Sequence, residues 1–545
     1  MFFHYVLVLT SCCSVFYLGF KAIGQKQNIR INFSFPVIIS LILIAFPFVC
    51  LLFTRQIENY FTSHYIAVFV LFIVLSVCFS NNLINKSSIN KFLVYFAVCE
   101  SVVCFVQFFG FSTADKIFAI SGTNDNPNIA AMFLVMVFPA VIEDFKQRNK
   151  YISIFISIIL IAALILLKSR TAYIGLVVLT ITYSIYYLSK INKILVYICV
   201  IFCIAGVVIF APKLYGFKQN SADGRLFVWK VSTQMIAEKP LGYGYGMTQG
   251  AYNAAQAHYF ETRETTKTEQ QNAGYTHHIL NDYIEMAVQG GIAGGLLYLA
   301  FIVSLIYFGL RQKKKPVFAL SGIIAFAAMG LTNFAFYSVF AAMVFVFYAA
   351  SSTQSTRITR IKRIYTDNKI IRNVLLFVVL VAVICISLQI RSQFILTKIN
   401  ENLKEKDFAN AKILTNKTFH FVGSSELYYR SLGNVYLSDK DYITAKSYYE
   451  QARKFAPFPE IIMRKAYCEM QVKNYEQAEG DLILAANIQP ALFQPHYSLM
   501  MLYLQTKNFR QAKVKAEYIL EKDVKIPSEK VDYYKEQAKK LKIEN

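Results

Sequence analysis

Three ionisable side chains near the middle of the chain have the types and spacing needed to move a proton. In the segment 276–283, His278 precedes Asp282, and Glu285 follows three residues later. A neutral imidazole titrates near neutral pH and can take the proton of an attacking hydroxyl. If a helix begins near His278, Asp282 at i+4 and Glu285 at i+7 share its face, and Asp282 can fix the imidazole tautomer. The alternative is a helix-start histidine with solvated carboxylates. Weaker candidates for the same role are His277 and His258.

Two arginines offer a second kind of chemistry, the binding of phosphate. Arg170 follows Lys168 and Ser169 at the edge of an apolar stretch, and Arg225 lies four residues before Trp229. A guanidinium fork matches phosphate oxygens in a bidentate manner. The alternative for each arginine is a side chain that extends to the lipid headgroups.

The elements that carry these residues are predicted to be membrane helices. Hydrophobic residues make up 56% of the 545 residues and charged residues 16%, which is too apolar for a soluble protein of this length. The long polar interruption at 211–275 then becomes a loop outside the membrane, and it contains Arg225 and the turn 240–246. Apolar stretches that can cross about 30 Å of hydrocarbon occur at 3–20, 33–53, 64–80, 92–111, 129–142, 152–167, 172–188, 194–211, 279–309, 317–335, 337–350 and 374–390, about twelve spans.

Lysine and arginine residues orient these spans. Alternate connections are rich in basic residues, and the positive-inside rule assigns those connections to the cytoplasm. The N-terminus, the loop 211–276 and everything after residue 390 then face the periplasm. The first span is expected to stay uncleaved because residues 1–4 lack a basic segment. Much of the net charge of +23 is therefore a topology signal, which removes the support for nucleic-acid binding.

This orientation restricts the chemistry of the loop. An enzyme in the periplasm has no nucleotide sugar or ATP, so a transferase there takes its activated group from a lipid diphosphate. Such a donor requires cations on the outer side of the bilayer, where Arg170 and Arg225 are predicted to lie.

The C-terminal region is a repeat array. The alanines Ala411, Ala445, Ala478 and Ala512 occupy equivalent positions and step by 34, 33 and 34 residues, the tetratricopeptide period. Such arrays bind protein partners or space domains, and the alternative is a stabilising appendage. The sequence thus predicts an all-α protein: a polytopic membrane domain over 1–391 followed by a periplasmic tetratricopeptide α-solenoid over 392–545.

Several motifs occur in a fixed order over roughly residues 90–350. They are Ser121–Asn128, Lys168–Arg170, Arg225 with Trp229, Pro240–Gly244, Gln256, His278 with Asn281–Tyr283, and Gly291–Gly294. Together these motifs resemble the O-antigen ligase and polymerase family. The sequence departs from the family pattern at the histidine, which here stands three residues before Asn281 instead of directly before the asparagine.

The resemblance implies a metal-independent, inverting transfer of a glycan from undecaprenyl diphosphate to a hydroxyl, with no cofactor. It implies that Arg170 and Arg225 bind the diphosphate, that His278 takes the acceptor proton and that Asp282 orients His278. The glycine turn Gly242, Gly244 and Gly246 would allow close backbone approach. Further substrate-binding positions are Lys168, Trp229, Gln256 and Asn281.

Other functions remain open at this point. The acceptor is lipid A core, which defines a ligase, or else a growing glycan or a protein hydroxyl, which define a polymerase and a protein O-oligosaccharyltransferase. A lipid-linked glycan transporter would need ionisable groups in mid-membrane, where Glu100 is the only clear one. A membrane scaffold for the repeats would need one span. The expected location is the bacterial inner membrane.

Overall fold

The computed structural model describes residues 10, 30–31, 34–111, 118–124, 126–145, 150–192, 194–195, 197–198, 201, 219–312, 316–353, 364–365, 391, 394–415, 417 and 425–543. Within them the regular structure is helical except for β1 (Arg30–Ile31) and β2 (Ile364–Tyr365), which pair antiparallel. The all-α fold class is confirmed.

The helices, numbered along the chain, are α1 (Phe35–Thr54), α2 (Asn59–Ser80), α3 (Lys86–Phe108), α4 (Pro127–Phe145), α5 (Lys150–Leu167), α6 (Arg170–Ile191), α7 (Gln219–Glu238), α8 (Thr248–Thr262), α9 (Lys267–Asn272), α10 (Asp282–Arg311), α11 (Val317–Gly330), α12 (Val339–Ser352), α13 (Phe408–Thr415), α14 (Ser425–Ser438), α15 (Tyr442–Phe455), α16 (Pro459–Gln471), α17 (Tyr475–Ile488), α18 (Gln494–Gln505), α19 (Phe509–Glu521) and α20 (Glu529–Ile543). Residues 394–404 also contain helix.

Backbone contacts divide the chain into two compact units. Unit 1 contains residues 1–49, 63–218 and 280–386, and unit 2 contains residues 50–62, 219–279 and 387–545. Unit 1 therefore holds most of the apolar helices, whereas the polar loop and the repeats belong together to unit 2.

Nine of the predicted spans coincide with helices. Six helices are long and apolar enough to cross a membrane: α1, α2, α3, α5, α6 and α10. Three shorter apolar helices, α4, α11 and α12, match the predictions at 129–142, 317–335 and 337–350. Of the predicted spans at 3–20, 194–211 and 374–390, the structure describes only residues 10, 194–195, 197–198 and 201. The protein is a multi-pass membrane protein, and its total number of spans stays a prediction.

The three short helices lie inside unit 1. All residues of α12 except Met343 are buried, its Phe345 ring stacks on Phe326 of α11 at 4.1 Å, and the Tyr348 hydroxyl donates to the Met136 carbonyl of α4 at 2.7 Å. A helix surrounded by protein does not need the full length that lipid contact demands. By contrast, α1 and α5 expose many large apolar side chains, as lipid-facing helices do.

The repeats in unit 2 form helical hairpins. The pairs α14–α15, α16–α17 and α18–α19 follow the predicted period, and Ala445, Ala478 and Ala512 are fully buried within them. At Gly433 a Cβ atom would lie only 2.7 Å from the Tyr449 ring, so the small residue lets the paired helices approach. The predicted tetratricopeptide-like solenoid is confirmed.

Each hairpin turn contains a lysine in the left-handed backbone conformation. Lys406, Lys440, Lys473 and Lys507 have φ of 62°, 62°, 63° and 58°. In each case the next residue donates its N–H to a carbonyl five residues earlier, for example Asn474 to Glu469 at 2.9 Å, which ends the preceding helix as a Schellman motif. Glycine usually occupies this position because a Cβ is unfavourable there.

We therefore expect Lys473→Gly to stabilise the repeats by about 1 kcal/mol, because it removes the left-handed penalty. The control is Lys513→Gly at an exposed interior position of α19, where glycine should destabilise by about 1 kcal/mol. Denaturant unfolding of the full-length protein measures both changes. A destabilisation by Lys473→Gly equal to that of the control would mean that the turn has no such strain.

Candidate active site

A loop at one end of unit 1 is held by two polar side chains of α3. The Glu100 carboxylate accepts from the backbone N–H and the hydroxyl of Thr123, at 3.0 and 2.8 Å. The Gln107 amide accepts from the N–H groups of Ser121 and Gly122, both at 2.9 Å, and donates to the Gly122 carbonyl at 2.7 Å. Gly122 has φ of 66°, and a Cβ there would lie 2.0 Å from Glu100 Oε1. These contacts fix the start of the motif Ser121–Asn128.

The same motif contacts the start of α6, which carries Arg170. Ser169 caps this helix, and its hydroxyl donates to Asn128 Oδ1 at 2.7 Å. The buried Thr171 hydroxyl accepts from Asn333 Nδ2 at 3.4 Å. Arg170 is thus the first residue of α6, half-buried between two anchored neighbours, with Lys168 exposed just before it at φ of 47°. A helix N-terminus with a guanidinium suits an anionic group.

The start of α10 adds a buried carboxyl group to this end of unit 1. Asn281 caps the helix, since its Oδ1 accepts from the N–H groups of Tyr283 and Ile284, and its Nδ2 donates to the Leu331 carbonyl at 3.0 Å. Asp282 Oδ2 accepts from the Phe336 N–H at 3.0 Å, whereas its Oδ1 is buried with no hydrogen-bond partner among the described residues. On the other side of the same residue, His64 Nε2 lies 2.9 Å from the Phe336 carbonyl oxygen.

The expectation of a helix beginning near His278 is wrong. The helix begins at Asp282, and Leu280 has φ of 58°, a left-handed turn that separates the histidines from α10. Helical spacing therefore does not place Asp282 and Glu285 on a face with His278. The physical reason is that Asn281 provides the N-cap, so that residues before it cannot continue the helix.

In unit 2, helix α7 carries Arg225 and Trp229 one turn apart, on one face. The Trp229 indole N–H is buried and has no hydrogen-bond partner among the described residues. Lys230 donates to both Glu269 and the Tyr259 hydroxyl at 2.8 Å, which ties α7 to α9 and α8. Burial by itself raises the pKa of Glu269, but hydrogen bonds from Lys230 and its neighbours lower it to about 2.

The turn after α7 uses its glycines to approach the chain's own backbone. Gly242, Gly244 and Gly246 have φ of 88°, 104° and 78°. A Cβ at Gly244 would lie 2.3 Å from the Gln56 carbonyl oxygen, and one at Gly246 would lie 2.6 Å from that of Glu58. Gly244 and Gly246 thus approach the segment 56–58 of unit 2, and a role of Gly242 and Gly244 in substrate binding stays a prediction.

Helix α8 holds Gln256 in a fully buried position. Its amide nitrogen donates to the carbonyls of Ile488 at 2.6 Å and Gly274 at 3.1 Å, and its oxygen accepts from the Tyr252 hydroxyl at 2.9 Å. These bonds occupy both ends of the amide, so Gln256 joins segments of unit 2, and its contacts do not support the predicted substrate-binding role.

The two adjacent histidines have different surroundings within unit 2. His277 Nδ1 lies 3.3 Å from the Gln249 amide nitrogen, and its ring contacts Tyr275 and Phe458. Burial and the neighbouring His278 lower the pKa of His277. His278 is half-buried, with its ring edge-to-face against Phe61 at 5.4 Å. His258 is exposed on α8 beside Glu261.

Unit 1 thus brings Lys168, Arg170, Asn281 and Asp282 to one end of its helical bundle. The turn 331–337 connects the start of α6 with the start of α10, because it bonds to residues of both. Unit 2 contains Arg225, Trp229, the glycine turn, Gln256 and His278. Sequence reasoning missed His64, Thr171 and Asn333, although a polar side chain within an apolar helix, as at His64 and Thr171, is a usable signal. Within the described residues, no group of three or more His, Cys, Asp or Glu side chains could hold a metal ion.

Fold and site together define a multi-pass membrane protein whose long polar loop packs against its helical repeats within unit 2. Residues 155–299 match the model of the O-antigen ligase family, so this chain carries an O-antigen ligase domain over that range, and the resemblance seen in the sequence is confirmed there. The matched range contains every predicted site residue. It supports a membrane glycosyltransferase of the O-antigen ligase or polymerase type.

Comparison with individual proteins adds little. No curated protein matches the chain at a significant level. Among solved structures, the crystal structure of the APC/C hetero-tetramer Cut9-Hcn1 aligns at 12% identity over 87% of this chain and 76% of that chain. Its TM-score is 0.24, and at that value the likeness supports no conclusion about fold or function.

Proposed function

We propose that the protein transfers an oligosaccharide or polysaccharide from undecaprenyl diphosphate to a hydroxyl group of lipid A core at the periplasmic face of the bacterial inner membrane. The observation that carries this proposal is the family match over 155–299 together with Arg170 at the anchored start of α6. The match supports a glycosyltransferase reaction, and Arg170 supplies a cation suited to the proposed leaving group.

The proposed reaction is a single displacement. The acceptor oxygen bonds to the anomeric carbon while the bond from that carbon to the diphosphate oxygen breaks, which inverts the configuration. Arg170 and Arg225 stabilise the charge that develops on the departing undecaprenyl diphosphate. His278 takes the acceptor proton. The pairing of His278 with Asp282 stays a prediction.

Metal independence is also part of the proposal. The one Asp-x-Asp sequence in the chain is Asp439-Lys440-Asp441. Asp439 pairs with Lys412, and Asp441 caps α15 by accepting from the Thr444 N–H at 3.1 Å. Both carboxylates therefore have structural roles within a repeat turn. This supports the proposal that the Asp-x-Asp sequence does not bind a metal–diphosphate complex.

The test is transfer by the full-length protein in proteoliposomes that contain labelled undecaprenyl-diphosphate glycan and lipid A core. We expect label on lipid A core, release of undecaprenyl diphosphate and no loss of rate with a chelator. Relocated but unaltered donor would indicate a transporter. Extension of one glycan by another would indicate a polymerase, and transfer only to an added protein substrate would indicate a protein glycosyltransferase.

The proposed orientation predicts the behaviour of reporter fusions. An alkaline phosphatase fused after Asn402 should be active, and one fused after Arg360 should be inactive, because the enzyme folds only outside the cytoplasm and residue 360 lies in a basic connection. Phosphatase activity measured in whole cells, normalised to fusion protein, decides between the orientations. The reverse pattern would put the loop in the cytoplasm and remove the argument for a lipid-diphosphate donor.

A further inference from the structure

Helix α8, which comes from the long loop, is packed into the repeat array. Ala257 forms a buried cluster with Ile462, Ala485 and Ile488 of the repeats. A Cβ at Gly250 would lie 2.5 Å from the Lys454 carbonyl oxygen, so the backbone of α8 touches the end of α15 directly. The small residues of α8 are therefore explained by contact with the repeats.

The array and α8 together hold residues 273–279, which we call the histidine segment. Asn253 of α8 bonds both backbone groups of Thr276, accepting from its N–H at 3.0 Å and donating to its carbonyl at 2.8 Å. Gln256 bonds the Gly274 carbonyl and the Ile488 carbonyl with one amide nitrogen. The segment is thus tied to α8 by side chains, and α8 is tied to the repeats.

The repeats also contact the histidine segment directly. The ring of Phe458, the residue before α16, stacks on Tyr275 with centroids 4.3 Å apart and an interplanar angle of 17°. The same ring lies 5.7 Å from that of His277. The Tyr275 hydroxyl accepts from the Gln249 amide at 2.8 Å, so this tyrosine is held from both sides.

We propose that the repeat array positions the histidine segment for transfer, with Phe458 and Gln256 as positioning residues. The role of His278 in this inference rests on the proposed function. The array then contributes to the reaction even when no partner protein is bound. Its own turn 456–459 packs against the histidine segment, which contains the proposed base.

The experiment loosens this contact in two independent ways in the full-length protein. Phe458→Ala removes the stacking ring, and Gly250→Ala pushes α8 away from α15. Both should increase hydrogen exchange at the Thr276 amide and lower kcat by about 10²-fold, the scale of a small misplacement of a catalytic group. The KM for the lipid-diphosphate donor should change little. Phe458→Tyr keeps the ring and should restore both measurements.

Two controls lie in the same array. Gly480→Ala adds a Cβ where no atom lies within 4 Å, and Tyr467→Ala removes a half-exposed ring of α16 that contacts Tyr442. Both should leave exchange at Thr276 and kcat near the wild-type values. Wild-type exchange in both Phe458→Ala and Gly250→Ala, or wild-type kcat despite faster exchange, would overturn the inference. If the wild-type protein transfers no glycan, the proposed function fails, while the exchange data still decide whether the array holds the segment.

Discussion

Replacement of His278 by alanine is expected to lower glycan transfer by about 10²- to 10⁴-fold, the usual loss when a general base is removed. Binding of labelled lipid diphosphate should persist, because in the proposed mechanism the base acts on the acceptor hydroxyl, whereas Arg170 and Arg225 bind the donor. Turnover and donor binding are measured separately on purified protein in proteoliposomes.

The neighbouring histidine supplies the matched control. His277 contacts Gln249, Tyr275 and Phe458, so His277→Ala removes ring contacts without removing the proposed base. Its effect should be mild. Equal losses in both variants would point to a general defect of the histidine segment. Loss of donor binding in His278→Ala would make this residue a diphosphate ligand and leave the base unidentified.

A second large effect is expected from Arg170→Lys. A lysine keeps the positive charge but loses the planar fork that bonds two phosphate oxygens. Hydrogen bonds to charged groups contribute about 1.5–3 kcal/mol, so we expect a loss in kcat/KM of about 10- to 100-fold. Arg225→Lys should behave in the same way if both residues bind the diphosphate.

The control for the arginines is Arg311→Lys at the last residue of α10, where the guanidinium lies over the Tyr307 ring. This change should leave transfer near normal. Near-normal transfer by Arg170→Lys and Arg225→Lys at normal protein levels would instead assign both side chains to the lipid headgroups.

The apolar helices, the repeats and the glycine turn could be predicted from the sequence, because each depends on a local pattern of residues. The nine helices match apolar stretches because burial in lipid or in a helical bundle requires continuous hydrophobicity. The repeats follow from a 33–34-residue period whose buried alanines sit at each hairpin contact. The glycine turn was also predictable, since positive φ at Gly242, Gly244 and Gly246 suits residues without a Cβ.

The start of α10 has a local signal in the sequence. Asparagine is a favoured N-cap, and Asn281 followed by Asp282 in the first turn marks a helix start. A helix beginning at His278 would place His278, Asp282 and Glu285 on one face, but the helix begins at Asp282 and His278 lies before it. The hydrogen bond between Asp282 and Phe336 joins residues 54 positions apart, and no local pattern indicates it.

The packing of the loop on the repeats was not predictable for the same reason. Gln256 and Ile488 are 232 residues apart. A buried glutamine on a helix indicates that some partner exists, but it does not identify the partner. The predicted division at residues 391 and 392 follows the chain, whereas the contacts group residues 219–279 with residues 387–545.

The composition of unit 2 from three distant stretches has a consequence for biosynthesis. The loop leaves the ribosome long before Phe458 and Ile488 have been made, and at about 5–20 residues per second the delay is roughly 10–40 s. During that interval α8 lacks the partners that cover Ala257 and Gly250. With the proposed orientation, newly made protein should therefore pass through a protease-sensitive stage at residues 248–279, which ends only when the second helix pair, α16–α17, has been translated and exported. Pulse-labelled cells treated with protease outside the inner membrane would reveal it as a transient cleavage product.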